Sequence, residues 1–202
     1  MGPAGAGKGT MSDLILKEYD IQHISTGDML RDNLAKSYMD AGNLVPDDVI
    51  IAMVEKRLQE DDCQKGYLLD GFPRTLVQAE AFEKIENKIG KPVECVIALE
   101  VGFDTLVERI TGRRICPKCG AIYHIHNKPS KVEGICDVCG SELTQRKDDT
   151  VEQLTVRMDG YEKSTKPVID FYDKRGIVSY IDASQETAAV FEKVKDALSK
   201  LK

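Results

Sequence analysis

The chain opens with Met1-Gly-Pro-Ala-Gly-Ala-Gly-Lys-Gly-Thr10, "MGPAGAGKGT", and the reading of this stretch decides the fold. Gly2 to Lys8 fits G-x-x-x-x-G-K, with the hydroxyl one residue late: Gly9 follows the lysine and Thr10 follows Gly9. Glycines permit positive φ, which turns successive N–H groups inward into a nest for phosphate oxygens. A helix that starts here adds its N-terminal dipole, and Lys8 supplies a mobile charge for the β and γ phosphates. Gly5, Gly7, Lys8, Gly9 and Thr10 are therefore candidate phosphate ligands. A glycine-rich turn with a chance lysine is the plain alternative, and the spacing argues against it.

Loops of this kind sit between a strand and a helix in a parallel sheet, and the rest of the sequence alternates accordingly. Apolar runs such as "YLLDG", "VECVIALEV" and "IVSYIDA" read as buried strands. The amphipathic stretches between them read as helices on both faces of the sheet. Helices are expected over 10–19, from "STGDML" to Gly42, from Pro46 through "VIIAMVEKRLQE", over 75–89, and over 104–112. A long helix from Thr150, disturbed near Pro167, and a final one from Glu186 complete the pattern. Residues 113–149 read as irregular and cysteine-rich.

Composition narrows the partners. At 202 residues with 42% hydrophobic and 31% charged residues, the chain is long enough for one ordinary globular domain with small insertions. No apolar run approaches the ~20 residues of a membrane helix, and no secretion signal is evident, so a cytoplasmic protein without membrane partners is expected. A net charge of −6 argues against a general nucleic-acid binder. Arginine is nevertheless concentrated: seven of nine (Arg31, Arg74, Arg109, Arg113, Arg114, Arg146, Arg157) lie in or beside short motifs. The planar guanidinium fork suits bidentate phosphate binding.

Two of those motifs have mechanical content. In "LLDGFPRT" (68–75) an apolar strand delivers Asp70 to the edge of the sheet where ligands bind, and an aspartate there can hold water on Mg²⁺. Gly71 and Pro73 turn the chain, and Arg74 projects towards the phosphate loop. In "HISTGDMLR" (23–31), Ser25 or Thr26 caps a helix and Arg31 follows one turn later.

Four of the six cysteines form Cys116-x₂-Cys119 and Cys136-x₂-Cys139, with 16 residues between the pairs, the spacing of a four-thiolate zinc ribbon. Gly120 and Gly140 follow the pairs and let the backbone turn over a metal. Four protein ligands leave no open position, so the expectation is a structural Zn²⁺ in a segment too small to build its own core. Redox CxxC chemistry is the alternative; two pairs with no sulfur left over favour zinc. Cys63 and Cys95 read as buried apolar fillers, and His23, His124 and His126 as structural.

Taken in order, GxxGxGKGT, STGDMLR, LVPDD, DGFPRT, LTGRRICPKCG-like "ITGRRICPKCG" and "QRKDD" resemble the adenylate kinases, specifically the bacterial type with a long lid and a four-cysteine zinc site. The resemblance spans essentially the whole chain. It implies an α/β fold: a P-loop NTPase-like parallel sheet with helices on both faces and two inserted mobile subdomains. The core would comprise 1–24, 56–111 and 150–202, the AMP-binding segment 25–55, and the zinc-binding lid 112–149.

The resemblance further implies reversible transfer of the terminal phosphoryl group of ATP to AMP, giving two ADP, by a monomer that needs Mg²⁺. Lys8, Arg109, Arg113 and Tyr123 would join the glycine loop in binding ATP. Thr26, Arg31, Met39, Val45, Gly71, Arg74, Gln78, Arg146 and Arg157 would bind AMP, with Gln78 reading the adenine. Lys8, Arg74, Arg109, Arg113, Arg146 and Arg157 would act in the transfer, Asp70 would position magnesium through water, and Asp148 and Asp149 would contribute to lid closure.

The chemistry agrees independently. A nucleoside monophosphate is already ionised, so its attacking oxygen carries no proton that a general base must remove. Catalysis reduces to positioning and charge stabilisation.

The sequence departs from the family's pattern in two places: the family's first strand has no counterpart before Met1, and the stretch from Arg31 to Ala35 is shorter than usual. Two other readings carry specific features. A kinase for another monophosphate, UMP or CMP, would share the scaffold; Gln78 and the long zinc lid favour AMP. A nucleic-acid-binding zinc ribbon would need a basic face, but 113–149 has seven Lys/Arg against five Asp/Glu and only Tyr123 as a stacking aromatic.

Overall fold

A computed structural model describes residues 1–32 and 45–201. After the glycine loop come α1 (Lys8–Glu18), β1 (Gln22–Ser25), α2 (Thr26–Asp32), α3 (Asp47–Leu58), β2 (Tyr67–Asp70), α4 (Leu76–Ile89), β3 (Val96–Glu100) and α5 (Phe103–Thr111). An insertion follows with β4 (Arg113–Ile115) and β5 (Ile122–His124). The chain then returns through α6 (Val151–Gly160), α7 (Lys166–Asp173), β6 (Val178–Asp182) and α8 (Thr187–Leu198).

The strands pair in parallel, β1 with β2 and β3 with β6, in registers such as Ser25 opposite Asp70 and Ala98 opposite Tyr180. Met1 lies along the edge of β3 opposite β6. Its carbonyl accepts from the Leu99 N–H at 3.0 Å and its amine donates to the Ile97 carbonyl. The residue that opens the phosphate loop is thus held to the sheet by parallel-strand hydrogen bonds.

Helices cover the sheet as the apolar spacing demands. α1, α5, α6 and α8 enclose a cluster of Met11, Ile15, Leu99, Leu106, Ile110, Leu154, Val190 and Val194, all buried. A second cluster joins β1, α3 and α4 through Ile24, Val54, Leu58, Phe72, Phe82 and Ile85, with Phe72 and Phe82 edge-to-face at 5.4 Å. Burying large apolar side chains contributes about 1.5–3 kcal/mol each. These clusters therefore fix the strand ends that carry the site.

Three elements bear directly on the sequence reading. The helix from Thr26 is described only to Asp32, and its expected continuation to Gly42 lies outside the described residues. The disturbance expected near Pro167 is a π-helical turn over Tyr161–Thr165, on the N-terminal side of the proline. Pro167 has no N–H to give to the preceding turn, so the ladder slips its register there. The insertion read as irregular holds an antiparallel pair, β4 with β5, extended by bridges from Ile115 to Thr144 and from Ile135 to Glu142.

Candidate active site

Gly5 and Gly7 adopt φ of 84° and 96°, where a side chain is strained, and Gly7 is the N-cap of α1. The turn brings the N-terminal N–H groups of α1, at Lys8, Gly9 and Thr10, to the loop; no acidic residue sits in that first turn. An anion placed here gains both the N–H groups and the helix dipole. Lys8 Nζ donates to the Gly2 and Pro3 carbonyls at 2.8 Å each, so the ammonium lies across the loop.

The surroundings of Lys8 define the site. Its pKa is lowered to about 8, first by burial. Asp70 opposes this shift, while Arg74, Arg113 and Arg157 reinforce it. Arg157 is itself lowered by burial and then by Arg113, Arg146 and Arg74. Three guanidinium groups from separate parts of the chain, Arg74, Arg113 and Arg157, thus act on the lysine, and Arg146 acts on Arg157. Like charges gathered this way raise each other's energy. An anion of high charge removes that cost.

Local structure explains each placement. Asp70 ends β2, and its carbonyl accepts from Thr26 Oγ1 at 3.3 Å, which joins the start of α2 to the sheet edge. Arg74 Nε donates to the Gly71 carbonyl at 2.8 Å. Arg74 is exposed to solvent, yet desolvation by the protein around its guanidinium still lowers its pKa, with Asp70 opposing. Arg113 begins β4, and its Nε donates to Asp149 Oδ2 at 2.8 Å while a terminal nitrogen meets Oδ1. Arg157, on α6, pairs with Asp148. Arg109, near the end of α5, reaches the Ser184 carbonyl at 3.5 Å. That contact ties the end of α5 to the loop after β6. The sequence reading assigned no role to this loop, and no motif marks it.

The remaining candidates divide. Gln78 is 3% exposed in the first turn of α4. Val45 is half-buried just ahead of α3. Arg31 belongs to α2, and Met39 lies outside the described residues. Tyr123 is buried with its hydroxyl 3.5 Å from Cys136 Sγ, so its phenol is turned to the thiols. Asp47, absent from the sequence-based candidates, bonds both Thr75 and Gln78. A surface hollow of about 610 Å³ beside Tyr180, Asp182, Lys193 and Lys200 holds none of these groups.

The four motif cysteines meet in the insertion, with all four sulfurs within 4.8 Å of one another. Cys116 and Cys139 are 3.4 Å apart, and Cys119 and Cys136 are 3.5 Å apart. A tetrahedral centre with bonds of ~2.3 Å needs sulfur separations of roughly 3.8 Å, so this cluster fits zinc after a small expansion. The thiols are unequal. Cys136 is lowered to about 6, first by the Tyr123 hydroxyl. For Cys119, the Ala121 N–H that favours the thiolate is outweighed by desolvation and the other three thiols, and its pKa is pushed up to about 12. Clustered thiols cannot all ionise without a cation among them. The rest of this buried cluster is Tyr123, flanked by Ala121 and Leu143, a small core for a segment of this length.

A glycine nest at a helix start, a lysine across it, arginines from separate segments acting on that lysine and an aspartate at the strand end define a phosphate-loop kinase of small phosphorylated substrates. The adenylate kinase family profile matches residues 1–177. Adenylate kinase of Carboxydothermus hydrogenoformans is 51% identical over 99% of this chain and 98% of its own length. That of Caldanaerobacter subterraneus is 51% identical over 98% and 94%, and that of Bacillus subtilis 49% identical over 100% and 97%. The chain belongs to the adenylate kinase family. No helix among the described residues is long and apolar enough to cross a membrane.

Proposed function

We propose that the chain catalyses reversible transfer of the terminal phosphoryl group of ATP to AMP, giving two ADP. The observation that carries this reading is the mutual field of Lys8, Arg74, Arg113 and Arg157, to which Arg146 adds by acting on Arg157. Two nucleotides facing each other across a shared phosphoryl group bring enough negative charge to stabilise that cluster, which a single monoanionic ligand does not.

In this reading the donor's phosphates lie on the loop from Gly5 to Thr10, with Lys8 leaving the Gly2 and Pro3 carbonyls to meet them. Arg109 and Arg113 hold the donor from the other side. Tyr123 contributes through its backbone, since its phenol is engaged with Cys136 and with the Asp137 N–H. The acceptor lies over Thr26, Gly71 and Val45, with Arg31, Met39 and Gln78 completing its pocket and Arg74 on its phosphate. Arg146 and Arg157 close on the transferred group. No side chain removes a proton, because the attacking phosphate oxygen has none; the arginines align the oxygens and stabilise charge in a loose in-line transfer.

Mg²⁺ bound with ATP would neutralise developing charge on the phosphates, and Asp70 is the group that would orient it through water. Zn²⁺ would be held by Cys116, Cys119, Cys136 and Cys139 and would stiffen the lid, residues 112–149. Residues 1–24, 56–111 and 150–202 form the core and 25–55 the acceptor segment of a monomer acting in the cytoplasm, without nucleic acid. Closing the lid excludes water, which would otherwise compete as acceptor.

The test is ADP formation from ATP and Mg²⁺ with AMP, UMP or CMP as acceptor. AMP is expected to be preferred. A preference for UMP or CMP would move the assignment to another nucleoside monophosphate kinase, and no transfer to any acceptor would refute it.

A further inference from the structure

Asp47, the first residue of α3, uses its two carboxylate oxygens on two partners in α4 and its cap. Oδ2 accepts from Thr75 Oγ1 at 3.0 Å, and Oδ1 accepts from Gln78 Nε2 at 2.6 Å. Gln78 Oε1 accepts from the Arg74 backbone N–H at 2.7 Å. Thr75, the N-cap of α4, accepts from the Gln78 backbone N–H at 3.2 Å. Gln78 itself is 3% exposed.

A side-chain amide can turn over with almost no change of shape, exchanging donor for acceptor. Here both neighbours forbid it. A carboxylate only accepts, so the NH₂ must face Asp47; a backbone N–H only donates, so the carbonyl must face Arg74. Turning the amide would lose both bonds and set like partial charges together, in a largely buried place. One N–H on the Nε2 side and one lone pair on the Oε1 side remain, in fixed order.

We propose that Asp47 is a positioning residue for base selection: it locks Gln78 in the one orientation that pairs with adenine. Adenine offers its amino N6 as donor beside a ring nitrogen as acceptor. Hypoxanthine and guanine offer O6 as acceptor beside N1–H as donor, the reverse order. An amide free to turn would serve both; a locked one discriminates. The inference rests on Gln78 as the reader of the acceptor base.

The experiment compares AMP and IMP as acceptors at saturating ATP in the wild type, Asp47→Ala, Asp47→Asn and Gln78→Ala. Removing one hydrogen-bond anchor predicts a rise in KM for AMP of about 3–10-fold in Asp47→Ala and a similar narrowing of the AMP-over-IMP ratio in kcat/KM. The kcat with AMP and the KM for ATP should stay near wild type. Asp47→Asn, whose carbonyl can still accept from Gln78, retains most of the ratio. Where Asp47→Ala fails to fold, Asp47→Ser, too short to reach Gln78 but polar at the helix start, gives the same readout. An unchanged ratio, or equal losses with AMP and IMP as for a merely structural residue, overturns the proposal. Gln78→Ala separates the two claims: if it leaves the AMP preference intact, the reading of Gln78 fails; if it abolishes the preference while Asp47→Ala does not, the role of Asp47 alone fails.

Discussion

Arg113 and Asp149 join the two chain segments through which the cysteine-bearing insertion leaves and re-enters the body of the protein. The Arg113 guanidinium meets both oxygens of Asp149, whose side chain is 0% exposed against 20% for the arginine. Gln145 reinforces the junction, its Nε2 donating to the Thr111 carbonyl at 3.3 Å and the Asp149 carbonyl at 2.9 Å.

Removing one partner of such a pair leaves the other charge uncompensated. Asp149→Ala is expected to cost about 3–5 kcal/mol, whereas Arg113→Met with Asp149→Leu together should cost less than Asp149→Ala alone. Chemical unfolding of the three variants and the wild type checks this. A double variant no more stable than Asp149→Ala would show that the pair is not the source of the stability.

Lys8 gives a pH signature. Burial, reinforced by Arg74, Arg113 and Arg157 and opposed by Asp70, lowers its pKa from 10.5 to about 8. The unfolded chain therefore binds more protons than the folded one between pH 8 and 10.5, so this residue's contribution makes stability rise with pH across that window. The effect is absent below about pH 8, where both states are protonated. A bound polyphosphate restores the charge, so ATP binding near pH 9 should take up protons in the wild type and fewer in Lys8→Met. Calorimetric titration in buffers of different ionisation enthalpy measures this uptake. Equal uptake by both proteins would contradict the assignment.

Gly112 and His124 are pressed together. A Cβ at Gly112 would lie 2.2 Å from His124 Nε2. Hydrogen bonds hold the ring in place: Nδ1 accepts from the His126 and Asn127 N–H groups at 3.1 Å each, and Nε2 donates to the Glu108 carbonyl at 3.2 Å. Gly112→Ala should destabilise the junction by roughly 1–3 kcal/mol, the usual cost of overpacking. Adding His124→Ala should recover part of the loss. Thermal unfolding of the single and double variants decides it.

The four cysteines predict a local response to metal removal. With so small a buried cluster around the thiols, chelation should increase hydrogen exchange across residues 113–149 while the helices of the body stay protected. ADP formation should fall in parallel. Uniform loosening of the whole chain would argue against a separate metal-held lid.

Much of this was legible locally. The phosphate loop, the cysteine spacing and the helix that Thr75 caps and Gly90 closes all follow from residues close in sequence. What was not legible depends on distant partners. The Asp47 to Gln78 bond spans 31 residues, and the carboxylate looks like an ordinary helix-start aspartate in "LVPDD". The Gly112 to His124 packing needed the pairing of β4 with β5, which three-residue strands in a cysteine-rich stretch do not announce. Tyr123 shows the converse: the family resemblance placed it on ATP, and only its contacts reveal that the phenol is turned to the thiols.

The most direct measurement is the rate of phosphoryl transfer from ATP to AMP in rapid-quench experiments on Arg74→Ala and Arg157→Ala, both folded and both still binding ATP. In the proposed function these arginines, from different parts of the chain, serve one reacting group, so each loss should slow the step by ~10³-fold or more. Transfer at the wild-type rate in either variant would contradict the convergence of these guanidinium groups on the phosphoryl in flight.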